Sequence, residues 1–147
     1  MTLDVHSGPW ATAVIEAWLE KTVVPLRLAT SGNSGPLVQS VWFDYSEGSL
    51  WCATQGDSVL AKRIRRDSTV GWEVSPDLPP YRGVRGKGQA ELVDERVRVE
   101  AVLNRLVDRY GQAGTPLAEW LVRRIDSEIA VCISDLRVSS WDYSPRM

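Results

Sequence analysis

The chain has 147 residues, 44% hydrophobic and 24% charged, with 17 basic against 19 acidic side chains and a net charge of −2. These figures give one domain with a core of its own, too apolar for a disordered chain and without the basic excess of a nonspecific nucleic-acid binder. No apolar run is long enough to cross a membrane and no signal-peptide pattern opens the chain, so a single cytoplasmic domain over residues 1–147 is expected, with no membrane or nucleic acid among its partners.

Ser7-Gly8-Pro9-Trp10 opens a helix, because proline in the first turn loses no hydrogen bond, and Trp10, Val14, Ala17 and Trp18 then recur at helical spacing as far as Lys21. From Val24 the period shortens. Pro25 to Thr30 reads as a strand, 31–36 as a turn cluster, Leu37 to Tyr45 as a second strand and, after Ser46-Glu47-Gly48, Ser49 to Thr54 as a third; the short links predict an antiparallel meander. Asp57-Ser58 is an N-cap signal for a helix running to Arg66. Val70 to Ser75 and Arg82 to Val93 are further strands, the second marked by Gly83, Gly86 and Gly88, which signal a bulge or a close approach. Asp94 is expected to cap a helix whose stripe of Val99, Val102, Leu103, Leu106 and Tyr110 ends at Gly111, and Thr115-Pro116 starts a short helix. Glu128 to Ser134 and Val138 to Trp141 close the chain as strand, broken near Asp135. This order predicts an α+β fold, mainly antiparallel, in the form of a small Greek-key barrel with peripheral helices.

Some chemistry is excluded by counting. Cys52 and Cys132 form no CxxC, and His6 is the single histidine, so neither a zinc ribbon nor a multi-histidine metal site can be built. Both cysteines suit buried strand positions. On the helix after Ser58, Val59, Lys62, Arg63 and Arg66 share one face; they are either a solvated basic surface or, with the helix N-terminus, a phosphate grip. Arg85 and Lys87 project to one side of their strand and Arg82 to the other, and the adjacent glycines open the backbone to a ligand. Ser139 to Ser144, with Trp141 and Tyr143, is expected to dock on the core or on a partner subunit. No constellation supplies an obvious general acid or base, so any redox chemistry belongs to a bound cofactor.

An ordered series of segments carries a family resemblance: Arg27-Leu28-Ala29-Thr30, Gly35-Pro36-Leu37-Val38, Val41-Trp42-Phe43, Trp51-Cys52-Ala53-Thr54, Ser58, the run Ile64 to Val70, and Arg82 to Ala90. Over about residues 10 to 143 it resembles the pyridoxamine 5′-phosphate oxidase-like family, the flavin-binding split β-barrels. The resemblance implies a six- to seven-stranded split β-barrel and a homodimer with its cofactor groove at the interface. The cofactor would be FMN or, alternatively, the deazaflavin coenzyme F-420. By position, Ser40, Val41 and Trp42 would line the ring edge, Ala53, Thr54, Ser58 and Lys62 the phosphate tail, and Arg82 and Gly83 the approach to the ring. The implied function is a flavin-dependent oxidoreductase of a small substrate, with a deazaflavin-dependent reductase or a non-catalytic flavin binder as alternatives. Two positions depart from the family pattern: Val38 stands where the true oxidases have arginine, and Leu60 where relatives often have lysine. Pyridoxamine phosphate oxidase activity itself is therefore not expected.

Overall fold

The computed structural model describes residues 3–147. In chain order it contains β1 (Asp4–Ser7), α1 (Thr12–Lys21), β2 (Leu26–Thr30), β3 (Leu37–Val41), β4 (Asp44–Ser46), β5 (Ser49–Gln55), α2 (Val59–Arg66), β6 (Thr69–Val74), β7 (Arg82–Val93), α3 (Arg96–Arg109), α4 (Pro116–Arg123) and β8 (Glu128–Asp142). Seven strands form a curled antiparallel sheet in the order β3-β2-β6-β7-β8-β5-β4, and β1 adds to β8 in parallel. This is the expected α+β half-barrel.

The meander is corrected. The hairpins β2–β3 and β4–β5 form, but β3 and β4 lie at opposite ends of the strand order. The expected single strand from Leu37 to Tyr45 breaks at Trp42 and Phe43, which join the two sheet edges at the split. Two aromatic side chains with different destinations turn the corner. Phe43 is fully buried in the main core, and its N–H donates to the Tyr110 hydroxyl at 3.1 Å. Trp42 instead stacks on the Tyr110 ring, with centroids 4.9 Å apart.

Three boundaries also differ. The first helix begins at Thr12 rather than Pro9, because the preceding segment is fastened to β8: Gly8 has φ +104° and lies against the Ser140 backbone, while the Trp10 N–H donates to Ser140 Oγ. The last strand is continuous through Asp135, where φ is +52° and β8 carries one residue more than β7 between paired positions. The extra residue is a bulge. It keeps the same side facing inward, as Val131 and Ile133 before it and Leu136 and Val138 after it all join the main core. Finally, α3 starts after Glu95 with no side-chain cap, so Asp94 does not cap it.

The inner face of the sheet carries Leu26, Leu28, Val70, Trp72, Val74 and Val84, and α1 adds Ile15 and Leu19 to this core. The amphipathic α2 contributes Leu60 and Ile64, with its N-terminus held by Ser58 Oγ, which accepts from the Ala61 N–H at 3.0 Å. A second core lies on the other side of the sheet. There Val99, Val102, Leu103 and Leu106 of α3 cover Val93, Ala130, Trp51 and Ala53.

Candidate functional site

The outer face of the sheet is covered over only part of its width. Over β2, β3, β6, the first half of β7 and the last half of β8, the alternation of the strands exposes two rows of side chains. Cross-strand register orders the first row as Ser40, Arg27, Glu73, Arg85, Ser139 and Ser7. The second row reads Val38, Ala29, Gly71, Lys87, Arg137 and Asp4. Together they shape an open groove of about 550 Å³.

The rows differ in charge. In the first, Glu73 lies between two arginines. Arg27 is tied down further, donating to the Ser75 carbonyl at 3.0 Å and to Asp77 Oδ1 at 2.6 Å. Arg85 rests over the Trp141 ring, 5.0 Å from its centroid. In the second row Val38, Ala29 and Gly71 form a low apolar shelf ending at Lys87 and Arg137. Arg137 Nη2 lies 2.8 Å from His6 Nδ1, and its Nε is 3.9 Å from Asp4. Small side chains floor the groove: a Cβ added to Gly71 would touch Ala29 Cβ at 3.6 Å, an ordinary contact, so the shelf is flat but not cramped.

The residues implicated by sequence fall in several places. Ser40 is at the rim of the groove, beside Arg27. Val41 turns toward the main core, while Trp42 and Ala53 belong to the core under α3. Thr54 Oγ1 donates to Ser58 Oγ at 2.8 Å at the start of α2, so the Ser58 hydroxyl already accepts two hydrogen bonds. Lys62 is exposed and lines a smaller hollow with Gly32, Asn33, Val59, Arg63 and Arg66. The basic face of α2 is partly committed to the fold. Arg63 donates to the Thr30 and Gly35 carbonyls, Arg66 to Asn33, and Arg65 to the Gly56 carbonyl. Arg82 lies over Trp18 on the side away from Arg85 and Lys87, and Gly83 is packed so closely against Ser75, Val74 and Trp141 that a Cβ would collide. The two departures have distinct surroundings. Leu60 is 2% exposed inside the main core, whereas Val38 is 64% exposed on the shelf.

Sequence reasoning placed Arg85 and Lys87 on one side of β7 but did not join them to Arg27, Glu73 and Arg137. Alternation within each strand was available as a signal; the register between distant strands was not. The buried titratable groups lie elsewhere. Burial pushes the Cys52 thiol up to about 12, which makes it an inert core group rather than a nucleophile. Burial also raises the Glu128 carboxyl, against the Gln55 amide that donates to it at 2.5 Å. At the chain end, bonds from Ser144 hold Asp142 below the usual carboxylate range, and Asp142 accepts from the Trp10 indole, but Tyr143 is exposed and neither it nor Trp141 joins a core.

No protein-family model matches the chain, and no curated protein matches it. Solved structures do. A conserved hypothetical protein from Mycobacterium tuberculosis is 27% identical, with a TM-score of 0.78 over 92% of this chain and 86% of its own. An F-420 reductase is 22% identical, with a TM-score of 0.68 over 84% of this chain and 94% of its own. A candidate pyridoxamine 5′-phosphate oxidase from Listeria innocua is 14% identical, with a TM-score of 0.63 over 87% of this chain and 92% of its own. The curled sheet, the split between β3 and β4 and these likenesses together show that the chain has the split β-barrel fold these proteins share.

Proposed function

We propose that the chain binds a flavin-type cofactor on the open face of its sheet and acts as an oxidoreductase of a small substrate. The observation that carries this reading is the flat shelf of Val38, Ala29 and Gly71 bordered by cations, a surface suited to a planar ring with an anionic tail. With neighbouring strands about 4.8 Å apart, the shelf spans about 10 Å from β3 to β6. Ser40 stands at its rim. The β2–β3 turn leads from the shelf to α2, meeting its Arg63 and Arg66, and at the start of that helix Thr54, Ser58 and Lys62 would receive a phosphate tail, as the family resemblance implies. The resemblance also implies Val41, Trp42, Ala53, Arg82 and Gly83, which would contribute through backbone alone, since Val41 and Arg82 turn to the inner side, Trp42 and Ala53 lie under α3, and Gly83 is packed against Ser75 and Trp141. When bound, the cofactor supplies the redox chemistry, and the chain supplies position, charge and shielding from water.

In this reading a second copy of the chain covers the groove, forming a homodimer. FMN is the leading cofactor. The deazaflavin coenzyme F-420 is the second, favoured by the likeness to an F-420 reductase. Oxidation of pyridoxamine phosphate is not proposed, because Val38 presents no charge where the true oxidases have arginine, and the buried Leu60 presents none where relatives often have lysine.

The test is a visible absorption spectrum of the purified protein followed by titration with FMN and with coenzyme F-420. A flavin band or saturable micromolar binding is expected, and the tighter ligand names the cofactor. Absence of a band together with no binding of either would overturn the proposal. Lys62→Ala is expected to weaken binding by on the order of 1.5–3 kcal/mol, the loss of one charge-assisted contact. Unchanged affinity in this variant would remove the tail from α2. Turnover by the loaded protein with a reductant and candidate small substrates separates an enzyme from a binder.

A further inference from the structure

We infer that Lys87 and Arg137 form an oxyanion subsite at the end of the apolar shelf, receiving a phosphate or carboxylate group of the groove's ligand. They are direct cross-strand partners on β7 and β8, both on the outer face. Like charges directly opposite one another destabilise a sheet. The neighbouring row shows how this chain arranges charge when it is compensated: Glu73 stands opposite both Arg27 and Arg85. Lys87 has no such carboxylate. Its cross-strand partners are Gly71 and Arg137, and among the described residues its ammonium forms no ion pair. Arg137 has Asp4 at 3.9 Å and His6 at 2.8 Å, which steady one side of the guanidinium.

Two cations held side by side at the end of the apolar shelf, with one nearby carboxylate, that of Asp4, for the pair, form a site whose electrostatics are completed by an anion. The adjoining Gly71 and Ala29 leave space for the body of that ligand. Lysine and arginine donors together match the oxygens of a phosphate or carboxylate. This inference rests on the open face being the ligand site, but it does not require the ligand to be a flavin. The oxyanion has two sources: the tail of the cofactor or a separate anionic substrate.

The experiment is calorimetric titration with sodium pyrophosphate at constant ionic strength, on the wild type and on Lys87→Gln, Arg137→Gln and Lys62→Gln. Saturable binding is expected in the wild type, weakened about tenfold or more by either Lys87→Gln or Arg137→Gln. Ligand-free Lys87→Gln should melt no lower than the wild type, since it relieves a repulsion, which shows that lost binding is not lost folding. No saturable binding in the wild type, or loss confined to Lys62→Gln, would overturn the subsite. Titrating FMN into protein already loaded with pyrophosphate then separates the sources: competition that Lys87→Gln relieves assigns the subsite to the cofactor phosphate in place of α2, and simultaneous binding assigns it to a substrate. Pyrophosphate binding without FMN or F-420 binding keeps the subsite and rejects the flavin reading. The reverse result rejects the subsite and keeps the flavin.

Discussion

The outer face of the sheet has two halves with opposite fates. Over β5, the far half of β7 and the start of β8 it carries Trp51, Ala53, Val93 and Ala130, and α3 closes over them. Over β2, β3 and β6 it carries Ala29, Val38, Gly71 and a border of cations, with no helix among the described residues over it. Both halves use the same inner core and the same alternation of side chains. The covered half therefore stabilises the fold, while the open half combines small floor residues with concentrated charge. That combination adds little packing energy and suits a ligand or a second copy of the chain.

Substitutions can separate the halves. The largest stability effect is expected from Leu106→Ala in α3. Leu106 is buried in the second core, and emptying such a site costs about 2–5 kcal/mol. Denaturant melts should show the loss, with ligand affinity of the open half largely spared in the folded fraction. An equal loss of affinity would mean that the halves are coupled. The converse is Gly71→Val. A Cβ fits there with ordinary contacts, and a β-branched residue suits a strand. Stability should change by no more than about 1 kcal/mol. Ligand binding should fall at least tenfold, because the side chain rises from the floor of the shelf. Unimpaired binding in Gly71→Val would remove the ligand from the shelf.

The same contrast governs what the sequence revealed. Most of β7 was legible, because alternation ran from Val84 to Leu92 and the glycines marked its crowded positions: an added Cβ at Gly86 would meet the Arg137 carbonyl oxygen at 2.2 Å. The α3 stripe and the Ser58 cap were legible for the same local reason. β1 was not, since Asp4 to Ser7 has little hydrophobic alternation and exists by pairing with β8. The Trp42–Phe43 corner was hidden because both residues are good strand formers, and only their separate cores distinguish them. The site behaved alike. Parity placed Arg85 beside Lys87, but the opposition of Lys87 to Arg137 depends on a register between distant segments, shifted by the bulge at Asp135. The resemblance directed attention to α2, whose arginines are largely occupied with backbone carbonyls and Asn33.

A smaller effect concerns the link between α2 and the sheet. Ser58→Ala removes the cap of α2 and the acceptor of the Thr54 hydroxyl, and should cost about 1 kcal/mol in a thermal or denaturant melt. If the cofactor tail also lies at this helix start, affinity for FMN falls as well. Stability loss with unchanged affinity would make Ser58 a purely structural cap.

The smallest expected effect is pH-dependent and belongs to the covered half. Glu128 projects to the outer side of β8, buried and paired with the neutral Gln55 amide, and burial raises its carboxyl above the ordinary value. The raised value means that the folded state holds the proton more firmly than the unfolded chain does. Below the unfolded carboxyl range, both states are protonated and the favourable contribution is fully present. As pH rises through the unfolded and then the folded value, it is lost. Glu128→Gln keeps an acceptor for Gln55 and removes the ionisation. Its melting temperature relative to wild type should therefore rise as pH climbs through the ordinary carboxylate range, and level off once the folded carboxyl has ionised as well. Lys87→Gln, on the open half, should instead change stability with salt, because its repulsion is exposed to screening. A salt response at Glu128 to match that at Lys87 would break the division between buried charge on the covered half and solvated charge on the open one.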